Sequence, residues 1–294
     1  MSVDPAPAAP PPPPRTGWAS LKDLTGYQWF VFVVCCLAWD LDCMDQQLFV
    51  LAREPALSAL MQKPANSTEV GYMGSWATAV FLLGWGIGGI GFGVLGDRLG
   101  RVKTLTATIG LYALFTGLSA LSVSEWDFMA YRLLTGFGVG GAFASAVVLL
   151  AETVPDNARP YALGLFQASS VLGNCTAALV SMYLGSLQKE GAFPPGGWLT
   201  PWRVMFLVGI LPGFLLVLVQ FSLREPDKWL ALRAAEATGA RPSPWQQFTG
   251  TLTGIFTTAP WNKRLVLALV LTGAGVIGRW GIGFFSPRLI GFAL

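Results

Sequence analysis

The sequence predicts an all-α membrane protein, and three observations carry that prediction. Of the 294 residues 53% are apolar and only 12% charged, and the mean hydropathy is +0.54, a balance foreign to ordinary water-soluble domains. The apolar residues come in blocks about twenty residues long, the length that crosses a bilayer as a helix. The charged residues gather in short stretches between those blocks, where water can solvate them. The same composition excludes other classes. A net charge of +3, scattered along the chain, leaves no nucleic-acid footprint. The four cysteines, Cys35, Cys36, Cys43 and Cys175, all lie inside apolar runs, which argues against a disulfide framework or a metal-ligand spacing. With no histidine and no nucleophile–base pair, neither an enzyme nor a metal or cofactor site is expected.

Residues 1–26 open with the proline run Pro5–Pro14, which predicts an extended, disordered cytosolic tail and no secretory signal. The first span, about 27–51, carries Asp40, Asp42 and Asp45. Carboxylates at that depth are costly in lipid, so they are expected to face a polar interior or to pair with cations. Asp42 and Asp45 share a helix face, and Asp40 points away from it. An external loop is expected over 52–69. The second span, about 70–95, is dense in glycine, with a small-xxx-small pair at Gly84 and Gly88 that suits close helix packing. Between it and the third span (about 104–122) lies Gly93-Val-Leu-Gly-Asp-Arg-Leu-Gly-Arg-Val-Lys. There Gly100 suits a sharp reversal, and Asp97 is expected to pair with Arg98 or Arg101.

A short turn at Glu125 and Asp127 leads to the fourth span, about 128–150. Its glycines 136, 138 and 141 satisfy the dinucleotide fingerprint formally, but a continuous apolar span is the wrong context for one. Arg132 lies about one turn inside this span, placed either to snorkel outward or to pair with a first-span carboxylate. The following loop runs from Glu152 to Arg159. With the glycine-rich loop on the same membrane face, it forms an ionic latch if Glu152 reaches Arg98 or Arg101. The fifth span, about 160–185, sets Gln167, Ser170, Asn174 and Ser181 on one stripe, which reads as cavity lining or as interhelical glue. A loop over 186–201 and a sixth span (about 202–222) precede a polar stretch from Arg224 to Arg264, with a surface helix near 226–236. The last span starts near 265, carries Arg279 and Trp280, and ends near Ser286-Pro287. Lys and Arg are in excess on the side of the glycine-rich loop. Arg53, Lys63, Lys189 and Arg203 are assigned to the other side, which places the N-terminus in the cytoplasm.

Several of these stretches resemble motifs of the major facilitator superfamily. Gly93, Gly96, Asp97, Arg98, Gly100 and Arg101 are similar, in register, to its signature loop between the second and third helices. Arg132-Leu-Leu-Thr-Gly-Phe-Gly resembles the arginine motif of its fourth helix, and Glu152, Pro155 and Arg159 resemble the pattern that follows. The charged segment after the sixth span is similar to that of the sugar porters. Asp42-Cys-Met-Asp45 resembles the Asp-x-x-Asp element of aromatic-acid and metabolite proton symporters, with cysteine where glycine is usual. The fifth span lacks the glycine-proline signature of drug–proton antiporters.

The resemblance implies a six-helix transmembrane bundle over 27–222, a cytoplasmic linker over 223–263 and a seventh transmembrane helix over 264–294. It implies a secondary active transporter in the cytoplasmic membrane, moving a small organic anion or sugar by proton-coupled alternating access. Asp40, Asp42, Asp45 and Arg132 are then the proton-coupling residues. Gln167, Ser170, Asn174, Arg279 and Trp280 line the substrate site. Gly93, Gly96, Asp97, Arg98, Gly100, Arg101, Glu152 and Arg159 form the conformational latch. The superfamily usually has twelve helices in two halves, and seven are legible here. The chain is therefore expected to be a fragment, to associate with a second half or copy, or to be a truncated, inactive or structural derivative. A seven-helix retinal protein or receptor fits the count, but the last span has no interior lysine to form a Schiff base, which argues against it.

Overall fold

Helix α1 (Gly26–Met61) starts where Thr25 supplies a capping box: its hydroxyl accepts from the Gln28 N–H at 3.3 Å, and the Gln28 side chain accepts from the Thr25 N–H at 2.9 Å. The computed structural model describes residues 15–194, 196–211, 213, 219, 222–236, 253–254 and 256–293. The chain divides into two compact units, Met1–Leu230 and Ala231–Leu294. In the first unit α1 is followed by α2 (Thr68–Leu99), α3 (Arg101–Ser119), α4 (Glu125–Thr153), α5 (Arg159–Lys189), α6 (Pro201–Val208) and α7 (Asp227–Glu236), whose last turns pass into the second unit. The second unit holds α8 (Trp261–Ala293). Among the described residues there is no strand, and α1, α2, α4 and α5 are long and apolar enough to cross a membrane.

Two expected ends move. The first helix was expected to stop near residue 51 before an external loop, yet α1 runs on to Met61 through Pro55. Proline removes one ladder bond, but the run Ala56-Leu-Ser-Ala-Leu-Met61 is rich in strong helix formers that carry the helix past it. The helix ends at Gln62, which takes the left-handed conformation (φ 53°). As a result Arg53 is not in an external loop. It is 4% exposed, and its Nη1 donates to the Thr78 hydroxyl of α2 at 2.7 Å. At the other end of the chain, α8 continues through Ser286-Pro287 to Ala293. Of the expected sixth span, 212, 214–218 and 220–221 lie outside the described residues, and α6 is its first part. Within the expected disordered tail, Gly17–Asp23 is a 3-10 helix whose Trp18 packs on Tyr161 of α5 at 5.1 Å, while Pro5–Pro14 lie outside the described residues.

Glycine sets the packing around α4. A Cβ on Gly84 or Gly88 of α2 would run into the backbone of Leu133 and Phe137, and one on Gly136 or Gly140 of α4 into that of Phe81 and Trp85. The two helices thus meet backbone to backbone, as the small-xxx-small pair predicts. Elsewhere on α4, Gly138 admits the backbone of Tyr112, which draws α3 in, and Gly141 the side chains of Thr108 of α3 and Phe92 of α2. Helix α5 closes on α1 through Gly173, which faces the Asp40 and Met44 backbone. Phe49, Phe81, Phe128 and Phe206 fill the space between α1, α2, α4 and α6, each fully buried.

Candidate functional site

Of the three first-helix carboxylates, the structure buries two. Asp42 and Asp45 are 1% and 0% exposed, as their shared face predicts. Asp40, on the other side of α1, is half-buried and looks toward Ser169 of α5. From α4, Arg132 reaches the same interior and is also fully buried, with Nη1 3.9 Å from Asp45 Oδ2. It does not snorkel. Its Nε and Nη2 donate to the Ser119 hydroxyl at 3.1 and 2.6 Å, and Nη2 also donates to Thr135 Oγ1 at 3.0 Å and to the Phe115 carbonyl at 3.5 Å. The rings of Phe206, Phe49 and Phe128 surround the guanidinium, with centroids at 4.7, 5.5 and 5.9 Å. A cation is thus fixed by neutral acceptors and aromatic faces, and only one of its nitrogens looks at a carboxylate.

The rest of this interior is polar and incompletely paired. Both oxygens of Asp42, both side-chain ends of Gln46 and the hydroxyls of Tyr112 and Thr116 are buried with no hydrogen-bond partner among the described residues. Thr116 and Asp45 share a wall: a Cβ on Gly209 would meet the Thr116 methyl and lie 2.7 Å from Asp45 Oδ1. Gln46, Tyr112, Thr116, Ser119 and Thr135 escaped the sequence reading. A signal was available for three of them, since 112, 116 and 119 repeat at helical spacing on an otherwise apolar α3.

The glycine-rich loop is a second cluster. Arg101 donates from Nη1 to Asp97 Oδ1 at 2.5 Å, and from Nε and Nη2 to the two oxygens of Glu152 at 3.2 and 2.9 Å. Burial works against the charge of this guanidinium, but the bonds to Glu152 and Asp97 outweigh it and raise its pKa further. Arg101 is therefore a partner in both of the pairings the sequence left open. Gly100, at φ +112°, makes the reversal. Gly96 lies beneath the Arg101 and Thr104 side chains, and Gly93 faces open space. Arg159 serves the neighbouring loop instead, donating to the Ala151 carbonyl at 2.7 Å and pairing with Asp156. Two further residues complete the cluster and were missed. The Glu225 carboxylate accepts from the backbone N–H of Arg101 (2.6 Å), Val102 and Lys103 (both 3.3 Å), a carboxylate at a helix N-terminus. Trp229 Nε1 donates to the Asp97 carbonyl at 2.9 Å. Their partners lie more than a hundred residues away, so no local pattern announces them.

The α5 stripe splits. Ser170 is buried and its hydroxyl donates to the Gln167 carbonyl, Asn174 is half-buried and donates to the Ser170 carbonyl, and Gln167 is exposed. The side chains of Arg279 and Trp280 lie outside the described residues.

Residues 55–258 match the family described as sugar (and other) transporter. The chain is 31% identical over 212 residues to a 4-hydroxybenzoate transporter of Pseudomonas aeruginosa, covering 72% of this chain and 43% of that one. It is 29% identical over 232 residues to a cis,cis-muconate transport protein of Acinetobacter baylyi, covering 76% and 50%. It thus spans about half the length of these curated relatives. Its fold resembles the inward-open xylose transporter XylE from E. coli, with a TM-score of 0.64 at 20% identity, covering 89% of this chain and 64% of that one. An all-helical bundle, the signature loop with its Asp97–Arg101–Glu152 pairing and the match over most of the length converge: this chain belongs to the sugar (and other) transporter family of the major facilitator superfamily.

Proposed function

We propose that the chain is the first part of a proton-coupled secondary transporter of a small organic anion, a carboxylate derived from an aromatic ring. A sugar is the second reading, supported by the XylE-like fold. The relatives' names supply the substrate class, since they transport 4-hydroxybenzoate and cis,cis-muconate. The observation that carries the coupling is the buried pair Asp45–Arg132, 3.9 Å apart with neither side chain exposed. Such a pair is stable only while both charges are present. Protonating Asp45 releases Arg132 Nη1, which is then a ready partner for a substrate carboxylate. Asp42 and Asp40 hold further proton positions on the same helix. On the α5 side Gln167, Ser170 and Asn174 line the route, and Arg279 and Trp280 contribute from the seventh helix.

The Asp97–Arg101–Glu152 cluster is the latch, broken and remade as the bundle alternates between two states. Gly93, Gly96, Arg98, Gly100 and Arg159 shape the loops that carry it. The tail 1–26 and the linker 223–263 lie in the cytoplasm, the bundle 27–222 and the segment 264–294 span the cytoplasmic membrane, and a second half or copy completes the cavity. No enzymatic step is involved.

Proteoliposomes containing the chain, with 4-hydroxybenzoate or cis,cis-muconate as probe, test this. Asp45→Asn is expected to abolish uptake driven by a pH gradient and to spare substrate counterflow. Equal loss of both activities assigns Asp45 to binding or folding instead of coupling. Uptake that ignores the pH gradient in the unmodified chain overturns proton coupling.

A further inference from the structure

Helix α3 packs against α4, and one of its side chains comes within electrostatic reach of the carboxylates of α1. The cause is Gly138. A Cβ there would overlap the backbone and Cβ of Tyr112, so the glycine lets α3 approach α4 closely enough to push the tyrosine ring inward. Tyr112 is completely buried, and its hydroxyl lies within electrostatic reach of Asp42, Asp45 and Cys43. One turn along α3, Thr116 stands beside Asp45.

The two carboxylates are not equivalent. Asp45 has a cation, Arg132, at 3.9 Å. Asp42 has none: among the described residues its oxygens have no hydrogen-bond partner, and neither has the Tyr112 hydroxyl. The groups that act on Asp42 electrostatically are Asp45 on α1 and Tyr112 on α3, while Arg132 on α4 and Thr116 on α3 stand beside Asp45. Helices α2, α5 and α6 carry their charged residues only near their ends, as Glu69, Asp97 and Arg98, Arg159 and Lys189, and Arg203. A buried hydroxyl and a buried carboxylate, both without a partner, are each costly in isolation, and a hydrogen bond between them would satisfy both.

We propose that Tyr112 is a positioning residue of the proton site, donating from α3 to the ionised form of Asp42 and so deciding which of the two α1 carboxylates gives up its proton first. The inference rests on the proton-coupled reading above. It divides the labour: Arg132 governs Asp45, and Tyr112 governs Asp42. A proton arriving at Asp42 weakens the tyrosine bond, since the neutral carboxyl is the poorer acceptor, whereas one arriving at Asp45 removes the counter-charge of the arginine, so the two events have different structural outputs.

Infrared difference spectra of the purified chain in nanodiscs, recorded through a pH series, read the carboxyl stretch of each aspartate, assigned with Asp42→Asn and Asp45→Asn. Tyr112→Phe keeps the ring and removes only the oxygen. It is expected to move the half-titration of the Asp42 band up by about one pH unit, the worth of one hydrogen bond to a charged group, and to leave the Asp45 band in place. Thr116→Val is expected to move the Asp45 band and not that of Asp42. An unshifted Asp42 band in Tyr112→Phe overturns the proposal. A fall in thermal stability in Tyr112→Phe that persists undiminished in the Asp42→Asn background does so as well, because it shows the hydroxyl satisfied by a partner other than Asp42. If neither assigned band titrates in the unmodified chain, the coupling reading itself fails, a result distinct from titration that ignores Tyr112.

Discussion

Arg132 is held by groups that keep their form across the physiological pH range: the Ser119 and Thr135 hydroxyls, the Phe115 carbonyl and three aromatic rings. Of the pair, Asp45 is therefore the member that changes. Arg132→Met strips Asp45 of its cation inside the bundle and is expected to lower stability by about 3–5 kcal/mol. In the double variant Asp45→Asn/Arg132→Met that penalty is expected to shrink by at least about 1 kcal/mol relative to the sum of the single changes. Thermal unfolding of the four proteins in detergent closes the cycle, and strict additivity contradicts a coupled pair. A second residue-scale expectation concerns Asp127. Burial raises its pKa, but the Val123 and Ser124 N–H groups, the Ser124 hydroxyl and the Phe128 N–H outweigh that and lower it. A depressed folded-state value means a contribution present above the ordinary carboxyl value of 3.8 and lost as pH falls through the lowered one. Asp127→Asn is expected to lower the melting temperature at pH 7, and by progressively less as the pH is taken below 3.8.

At the scale of the element, two glycines on one helix make opposite forecasts. Gly88→Ala drives a methyl into the Phe137 backbone and is expected to destabilise by about 1–3 kcal/mol. Gly86 has nothing within 4 Å of an added Cβ, so Gly86→Ala is expected to be neutral or stabilising by up to about 1 kcal/mol through helix propensity. Equal effects of the two contradict a backbone-to-backbone joint. The N-terminus of α3 offers the other element-scale test. Glu225 sits on three of its free N–H groups, while Asp97 and Glu152 hold Arg101 from the side. Asp97→Asn is expected to leave membrane insertion intact and to slow exchange by about tenfold or more, because it alters switching and not binding. Exchange at the unmodified rate removes Asp97 from the latch.

On a larger scale, the apolar stretch of α4 is the most buried among those of α1, α2, α4 and α5, whereas α2 and α5 each keep one face outward. Hydrogen exchange in nanodiscs is expected to be slowest in the middle of α4 and at least about tenfold faster in the 3-10 helix Gly17–Asp23. Much of this was legible in the chain, because the decisive signals are local. Asp42 and Asp45 share a face by spacing, Gly84 and Gly88 announce a close approach, and Arg132 inside an apolar run demands a partner. The unread parts depend on distant segments. Glu225 caps a helix that begins 124 positions earlier, and Arg53 finds Thr78 only because α1 outlasts Pro55. Tyr112 looks like ordinary filling on an apolar helix until Gly138 brings α3 inward.

The reciprocity of the α2–α4 joint also bears on how this chain changes over generations. Gly84 and Gly88 meet the backbone of Leu133 and Phe137, while Gly136 and Gly140 meet the backbone of Phe81 and Trp85. A clash between two side chains is repaired by shrinking either one. Here the opposing surface is main chain, which no codon can trim. A larger residue at any of the four positions has no second-site remedy across the joint, so a suppressor screen on Gly88→Ala returns reversion or a wholesale shift of α2.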